Sequence, residues 1–62
     1  MRILLVDDHA LFREGIALLL RPMLPGAEVL EAGSLEEAFE RMAAASRLDL
    51  VLMDLGLPGV SG

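Results

Sequence analysis

A chain of 62 residues with a net charge of -5 and no cysteine has room for one small domain, built without disulfides or thiolate-bound metal. Its hydrophobic fraction of 55%, beside 24% charged residues, argues against disorder, and the acidic surplus argues against direct contact with nucleic acid or an anionic membrane. No apolar run approaches the ~20 residues of a membrane-spanning helix. The N-terminus also lacks the basic region and long apolar core of an export signal, so the cytoplasm is the expected compartment. All the basic residues are arginines (Arg2, Arg13, Arg21, Arg41 and Arg47), and the chain has neither lysine nor threonine.

Arg2 to Val6 (RILLV) is a short continuous apolar run stopped by Asp7 and Asp8, the pattern of a strand buried on both faces of a parallel sheet. From His9 to Arg21 the spacing becomes helical. Phe12, Ile16, Leu19 and Leu20 form an apolar stripe that Leu11 and Leu18 widen, Asp8 is placed to cap the first turn, and Pro22 with Pro25-Gly26 is expected to end the helix. Ala27 to Ala32 (AEVLEA) suits an edge strand with glutamates at its margins. Ser34-Leu35-Glu36-Glu37 has the form of a capping box, predicting a helix from Leu35 to about Ala45 with Leu35, Ala38, Phe39 and Met42 on its apolar side. Leu48 to Met53 (LDLVLM) is a third strand, continuous enough after Asp49 to be central and buried. Strands alternating with helices of about ten residues imply right-handed crossovers and a parallel α/β sheet.

Ligands of open parallel sheets bind beyond the carboxyl ends of the strands. Asp7 and Asp8 follow the first strand and Asp54 follows the third, so these carboxylates converge if the two strands are neighbours. Their mutual repulsion would then call for a cation, and hard oxygen donors suit magnesium. Taken singly, Asp8 reads better as a helix cap than as a metal ligand, and Asp54 reads equally well as a turn residue before a Gly-Pro loop. The pairing of the two strand ends is what favours a site. His9 reads as a solvated first-turn residue, since no second histidine or cysteine completes a transition-metal set. Met42 and Met53 read as core filling, and Glu36, Glu37, Glu40 and Arg41 as a solvated helix face.

The stretches ILLVDDH and DLVLMDLGLPGVSG resemble the first and third strand ends of the receiver domain of bacterial response regulators, the CheY-like family. The wording is nearest to the NarL/FixJ type, whose full-length members carry a helix-turn-helix DNA-binding domain. The resemblance implies a flavodoxin-like doubly wound sheet, here β-α-β-α-β with strand order 2-1-3. Residues 1–62 would form the first part of such a domain. It implies Asp54 as phosphoacceptor from a sensor histidine kinase, and Mg2+ held by Asp7, Asp8, Asp54 and the backbone carbonyl of Gly56. Pro58 and Gly62 match the loop that shapes the far wall, while Leu57 stands where methionine is frequent.

The same resemblance implies five strands, with a Ser or Thr ending the fourth and a Lys ending the fifth. Neither position exists among these residues, so the chain by itself is expected to be a poor or inert phosphoacceptor, and the third strand is expected to become an apolar edge that invites self-association. The alternative to a signalling module is therefore a self-associating half-domain without phosphotransfer. A haloacid-dehalogenase-type enzyme also uses an aspartate after a strand beside magnesium, but it needs a second aspartate two residues on, where this chain has Gly56. No Gly-rich phosphate loop follows the first strand, which argues against a nucleotide binder.

Overall fold

A computed structural model describes residues 1–57. The elements follow the expected alternation: β1 (Arg2–Val6), α1 (Ala10–Met23), β2 (Glu28–Ala32), α2 (Leu35–Ala44) and β3 (Leu50–Met53). The strands form one parallel sheet in the order β2-β1-β3. Pro58 and Gly62, matched above to the far wall of the site, lie outside the described residues.

β1 lies between β2 and β3 and is buried on both faces. Ile3, Leu4, Leu5 and Val6 are all buried, and alternate residues of a strand point to opposite faces. On one face, Leu4 and Val6 join Ala32, Ala38 of α2 and Leu57 in the main core cluster, with Leu30, Met42, Leu48 and Met53 packed around it. Full burial of Ile3, Leu4 and Val6 is worth about 1.5–3 kcal/mol for each side chain. Leu57 thus fills the core, and Met42 and Met53 take the packing role expected of them.

The other face of the sheet is less completely covered. Ala17 is the buried residue of α1, while Ile16 and Leu20 are half-buried. Leu11, Phe12, Leu18 and Leu19, all placed on the expected apolar stripe, are exposed, Phe12 at 61%. On α2 the expected Phe39 is likewise exposed, while Ala38 is buried and Leu35 and Met42 are half-buried. Helical spacing identifies an apolar side but does not say how much neighbouring structure covers it. A groove of about 890 Å³ on this face is lined by Leu11, Phe12 and Ile16 of α1 and by Leu5 and Leu52 of the sheet.

Several boundaries differ from expectation. α1 continues through Pro22 to Met23, since a proline in the last turn forfeits only one backbone bond and the amide of Leu24 still donates to the Leu20 carbonyl at 2.9 Å. The chain then reverses at Gly26, whose φ of +85° lies in the left-handed region that glycine adopts without strain. Asp8 does not cap α1. The N-cap is His9 and no side chain caps the helix, because the Asp8 carboxylate instead approaches the His9 ring at 3.0 Å. β2 begins at Glu28 rather than Ala27, and β3 at Leu50 rather than Leu48.

Among the described residues β3 lies at an edge of the sheet, as expected of the third strand in this chain. Leu50, Val51 and Leu52 are 38–40% exposed, because no strand among the described residues pairs with their outer edge. The α2 cap has the expected donor: Ser34 Oγ accepts the Glu37 amide at 3.1 Å, and the Glu37 carboxylate in turn accepts the Gly33 amide at 2.6 Å, one residue before the box position. α2 ends at Ala44, with Ala45 as its C-cap. Glu36, Glu37, Glu40 and Arg41 are exposed, as a solvated helix face requires.

At the amino end of the sheet the charges are paired. Arg2 Nε meets Glu28 at 2.6 Å, the Arg2 amide donates to Asp49 Oδ2 at 2.7 Å, and Arg47 reaches Asp49 Oδ1 at 3.0 Å. The Arg2 amide and the Arg47 guanidinium together hold the Asp49 carboxyl below its usual range.

Candidate metal centre at the carboxyl end of the sheet

Parallel register decides the geometry. Val6 is paired with Met53, and the Asp54 amide donates to the Val6 carbonyl at 2.9 Å. The next residues, Asp7 and Asp54, therefore leave the sheet side by side. Asp7 is also tied to β2, through its amide and the Ala32 carbonyl at 3.0 Å. Asp7, Asp8, His9 and Asp54 each offer one metal-ligating atom, and these atoms all lie within 4.8 Å of one another. The three aspartates expected to converge are thus together, with a histidine among them.

Asp7 is the buried member, 8% exposed. Its Oδ1 accepts the His9 backbone amide at 2.8 Å and faces the ring Nδ1 at 2.9 Å. The backbone donor is the larger cause that holds this carboxyl below its normal range, against the opposing effect of burial. Asp54 Oδ1 accepts the Gly56 amide at 2.9 Å, and the Leu57 amide returns to the Asp54 carbonyl at 3.2 Å. The turn after β3 therefore grips one oxygen of Asp54, while Oδ2 faces the cluster, 3.8 Å from the His9 ring. A Cβ on residue 56 would stand 3.3 Å from Asp54 Oδ1, closer than ordinary contact, so the tight curl of this turn favours glycine.

Two contributors escape the sequence. His9 is solvated as expected, its side chain 72% exposed, yet Nδ1 sits among three carboxylates. The bond to Asp7, and then the charge of Asp8, raise its proton affinity above the usual imidazole value. Arg13 donates to the Asp7 carbonyl at 2.6 Å and to Glu31 at 3.0 Å, clamping the end of β1 against the end of β2. The adjacency of His9 to two aspartates was a sequence signal for the first. Nothing local pointed to Arg13, since its partner Glu31 comes alongside only through the β1–β2 register that pairs Leu5 with Glu31.

The donor set fits magnesium. Carboxylate oxygens clustered within reach of one small ion, at a partly open rim, match a hard cation that keeps several waters. The nearest guanidinium, that of Arg13, is engaged by Glu31 and by a carbonyl rather than by the clustered carboxylates. Among the described residues no arginine side chain is paired with the carboxylates of Asp7, Asp8 or Asp54, and the His9 ring is their side-chain partner.

The chain is 50% identical over 62 residues to the transcriptional activator protein ExaE of Pseudomonas putida, which it matches along its whole length while spanning 28% of that protein. It is 43% identical over 61 residues to the glycerol metabolism activator of the same organism, covering 98% of this chain and 28% of the relative. It is 40% identical to the nitrate/nitrite response regulator protein NarP of Escherichia coli (strain K12), over 98% of this chain and 28% of the relative. No solved structure gives a significant match. The response regulator receiver domain model matches residues 3–62, and the chain belongs to that family.

Proposed function

We propose that Asp54 is the phosphoacceptor of a two-component relay in the cytoplasm, charged by a sensor histidine kinase, with Mg2+ held by Asp7, Asp8, Asp54 and the backbone carbonyl of Gly56. The observation that carries this reading is the meeting of Asp7, Asp8 and Asp54 at one rim, their ligating atoms within 4.8 Å of one another. A carboxylate oxygen of Asp54 attacks phosphorus, the phosphorus–nitrogen bond to the kinase histidine breaks, and its electron pair stays on the imidazole, which takes up a proton. Bound Mg2+ supplies the positive charge that lets an anionic nucleophile approach an anionic phosphoryl group. The protein's part is positional: the Gly56 amide fixes one Asp54 oxygen and leaves the other toward the cluster. The names of the relatives, a transcriptional activator and a nitrate/nitrite response regulator, favour an output in transcription through a DNA-binding domain of a longer protein.

Residues 1–62 are then the first part of a receiver domain, and by themselves a weak acceptor. They contain no lysine to place opposite the developing charge, and loss of one such preorganised group costs about 2.7–4 kcal/mol in other enzymes. The test is a chimera in which these residues replace the matching segment of ExaE. Incubated with acetyl phosphate and Mg2+, it should gain one phosphoryl group by intact mass, and its Asp54→Asn variant should not. A folded chimera that stays unmodified would overturn the proposal.

A second reading, self-association without phosphotransfer, is favoured by one observation: β3 presents an exposed apolar edge at Leu50, Val51 and Leu52. Light scattering on a dilution series of the 62-residue chain should show dimers that Val51→Lys dissociates. A compact monomer at every concentration would remove this reading.

A further inference from the structure

We infer that Arg13 is a positioning residue of the carboxyl-end site: its guanidinium fixes the Asp7 peptide at the tip of β1, and so aims the Asp7 and Asp8 carboxylates for cation binding. This inference rests on the Mg2+ reading of the rim and adds to it a side chain that touches no ion.

The β1–β2 ladder stops just short of the site. β2 ends at Ala32, whose carbonyl takes the Asp7 amide at 3.0 Å, so β2 has no further amide to offer the Asp7 carbonyl. Arg13 Nη1 donates to that carbonyl instead, at 2.6 Å. With its amide and its carbonyl both held, the Asp7 backbone keeps one φ and one ψ. These set the direction of its Cβ and the plane of the peptide that leads to Asp8. Oδ1, held by the His9 amide at 2.8 Å, then has little freedom left.

The guanidinium is itself built in. Its Nε donates at 3.0 Å to Oε1 of Glu31, the residue that the strand register sets opposite Leu5. The Arg13 and Glu31 side chains are 18% and 27% exposed, whereas Arg47 of the amino-end pair is 79% exposed. A shielded pair keeps a geometry that a solvated one does not. A Cβ on residue 33 would stand 3.1 Å from Arg13 Nη1, so glycine there leaves the space that the guanidinium needs. A rigid planar group can hold two acceptors in fixed directions, which a lysine ammonium cannot do. Arg41 gives an internal comparison, since its Nε donates to the carbonyl of the same Glu31 at 3.2 Å and ties β2 to α2 rather than to the tip of β1.

Charge and position predict opposite outcomes. Arg13 is a cation beside an acidic rim, so by charge alone its removal strengthens Mg2+ binding. By position its removal weakens binding, as loss of a group that orients a metal ligand does.

Mg2+ titration of the 62-residue chain and its variants by calorimetry, well below each Tm and with the fold checked by circular dichroism, separates the two. Arg13→Gln should weaken Mg2+ binding by about tenfold. Arg13→Lys, which keeps the charge, should weaken it nearly as much, and it carries the test if Arg13→Gln does not fold. Arg41→Gln should lower Tm and leave Mg2+ affinity unchanged. In chelator, the His9 amide proton that Asp7 Oδ1 accepts should move upfield in both Arg13 variants and stay in place in Arg41→Gln. Tighter or unchanged Mg2+ binding by a folded Arg13 variant, an unmoved His9 amide, or equal weakening in Arg41→Gln would overturn the inference. If the unmodified chain binds no Mg2+, the oxygen-site reading falls, and the spectra in chelator alone decide whether Arg13 holds Asp7.

Discussion

The two ends of the sheet are built from similar residues and treated in opposite ways. At the amino end, Glu28 and Asp49 meet Arg2 and Arg47 at 2.6–3.0 Å, so acid and base cancel locally. At the carboxyl end, Asp7, Asp8 and Asp54 face one another around the His9 ring, and Arg13, the arginine at hand, turns to Glu31 and a backbone carbonyl. A net charge of -5 could have been spread evenly for solubility. Its concentration at the end where parallel sheets bind ligands is what separates a site from a solvated surface.

The largest expected effect breaks the carboxyl end outright: in the ExaE chimera, Asp54→Asn should abolish phosphoryl uptake, measured by intact mass. Next comes a matched pair of neutralisations. Asp8→Asn should weaken Mg2+ binding by about tenfold or more by calorimetry, on the scale of losing a metal-supporting group, without lowering Tm in metal-free buffer. Asp49→Asn should leave Mg2+ affinity unchanged and lower Tm, because the Arg2 amide and Arg47 lose a charged acceptor. If the two variants behave alike, the contrast between the ends is false.

A smaller effect separates capping from chemistry at the carboxyl end itself. Ser34→Ala removes the acceptor of the Glu37 amide and should cost about 1 kcal/mol of stability in urea unfolding, with Mg2+ affinity unaltered. Smallest is the pH response of the metal-free protein. The lowered Asp7 carboxyl contributes stability above pH 3.8, lost as pH falls through its folded value below that. The raised His9 contributes below pH 6.5, lost as pH rises through its folded value above that. Thermal melts in chelator should therefore be flat between these limits and decline on both sides. His9→Ala should remove the alkaline decline and Asp49→Asn should not.

The sequence carried the strand ends well because they are local statements: an apolar run that stops at an aspartate marks both the strand and the residue leaving its tip. Alternation and handedness implied a parallel sheet, but the β2-β1-β3 order came from the family resemblance alone, and it is that order which makes two separate aspartates neighbours. Asp8 shows where local reasoning fails. Its position suits a cap, but the His9 ring, held by Asp7, draws its carboxylate away. The exposed Phe12 and Leu19 fail differently, since a helical stripe records an apolar side without recording what covers it. Arg13 could not have been found, because Glu31 reaches it only after β1 and β2 have paired.

The central claim, that one end of this sheet is a cation site and the other is not, is tested most directly by a Mg2+ titration of the 15N-labelled chain followed through its amide resonances. Saturable shifts confined to residues 7–9 and 54–56, and lost in Asp8→Asn, are the predicted result. Shifts at Arg2, Glu28 and Asp49 of equal size, or no saturation at either end, would contradict it.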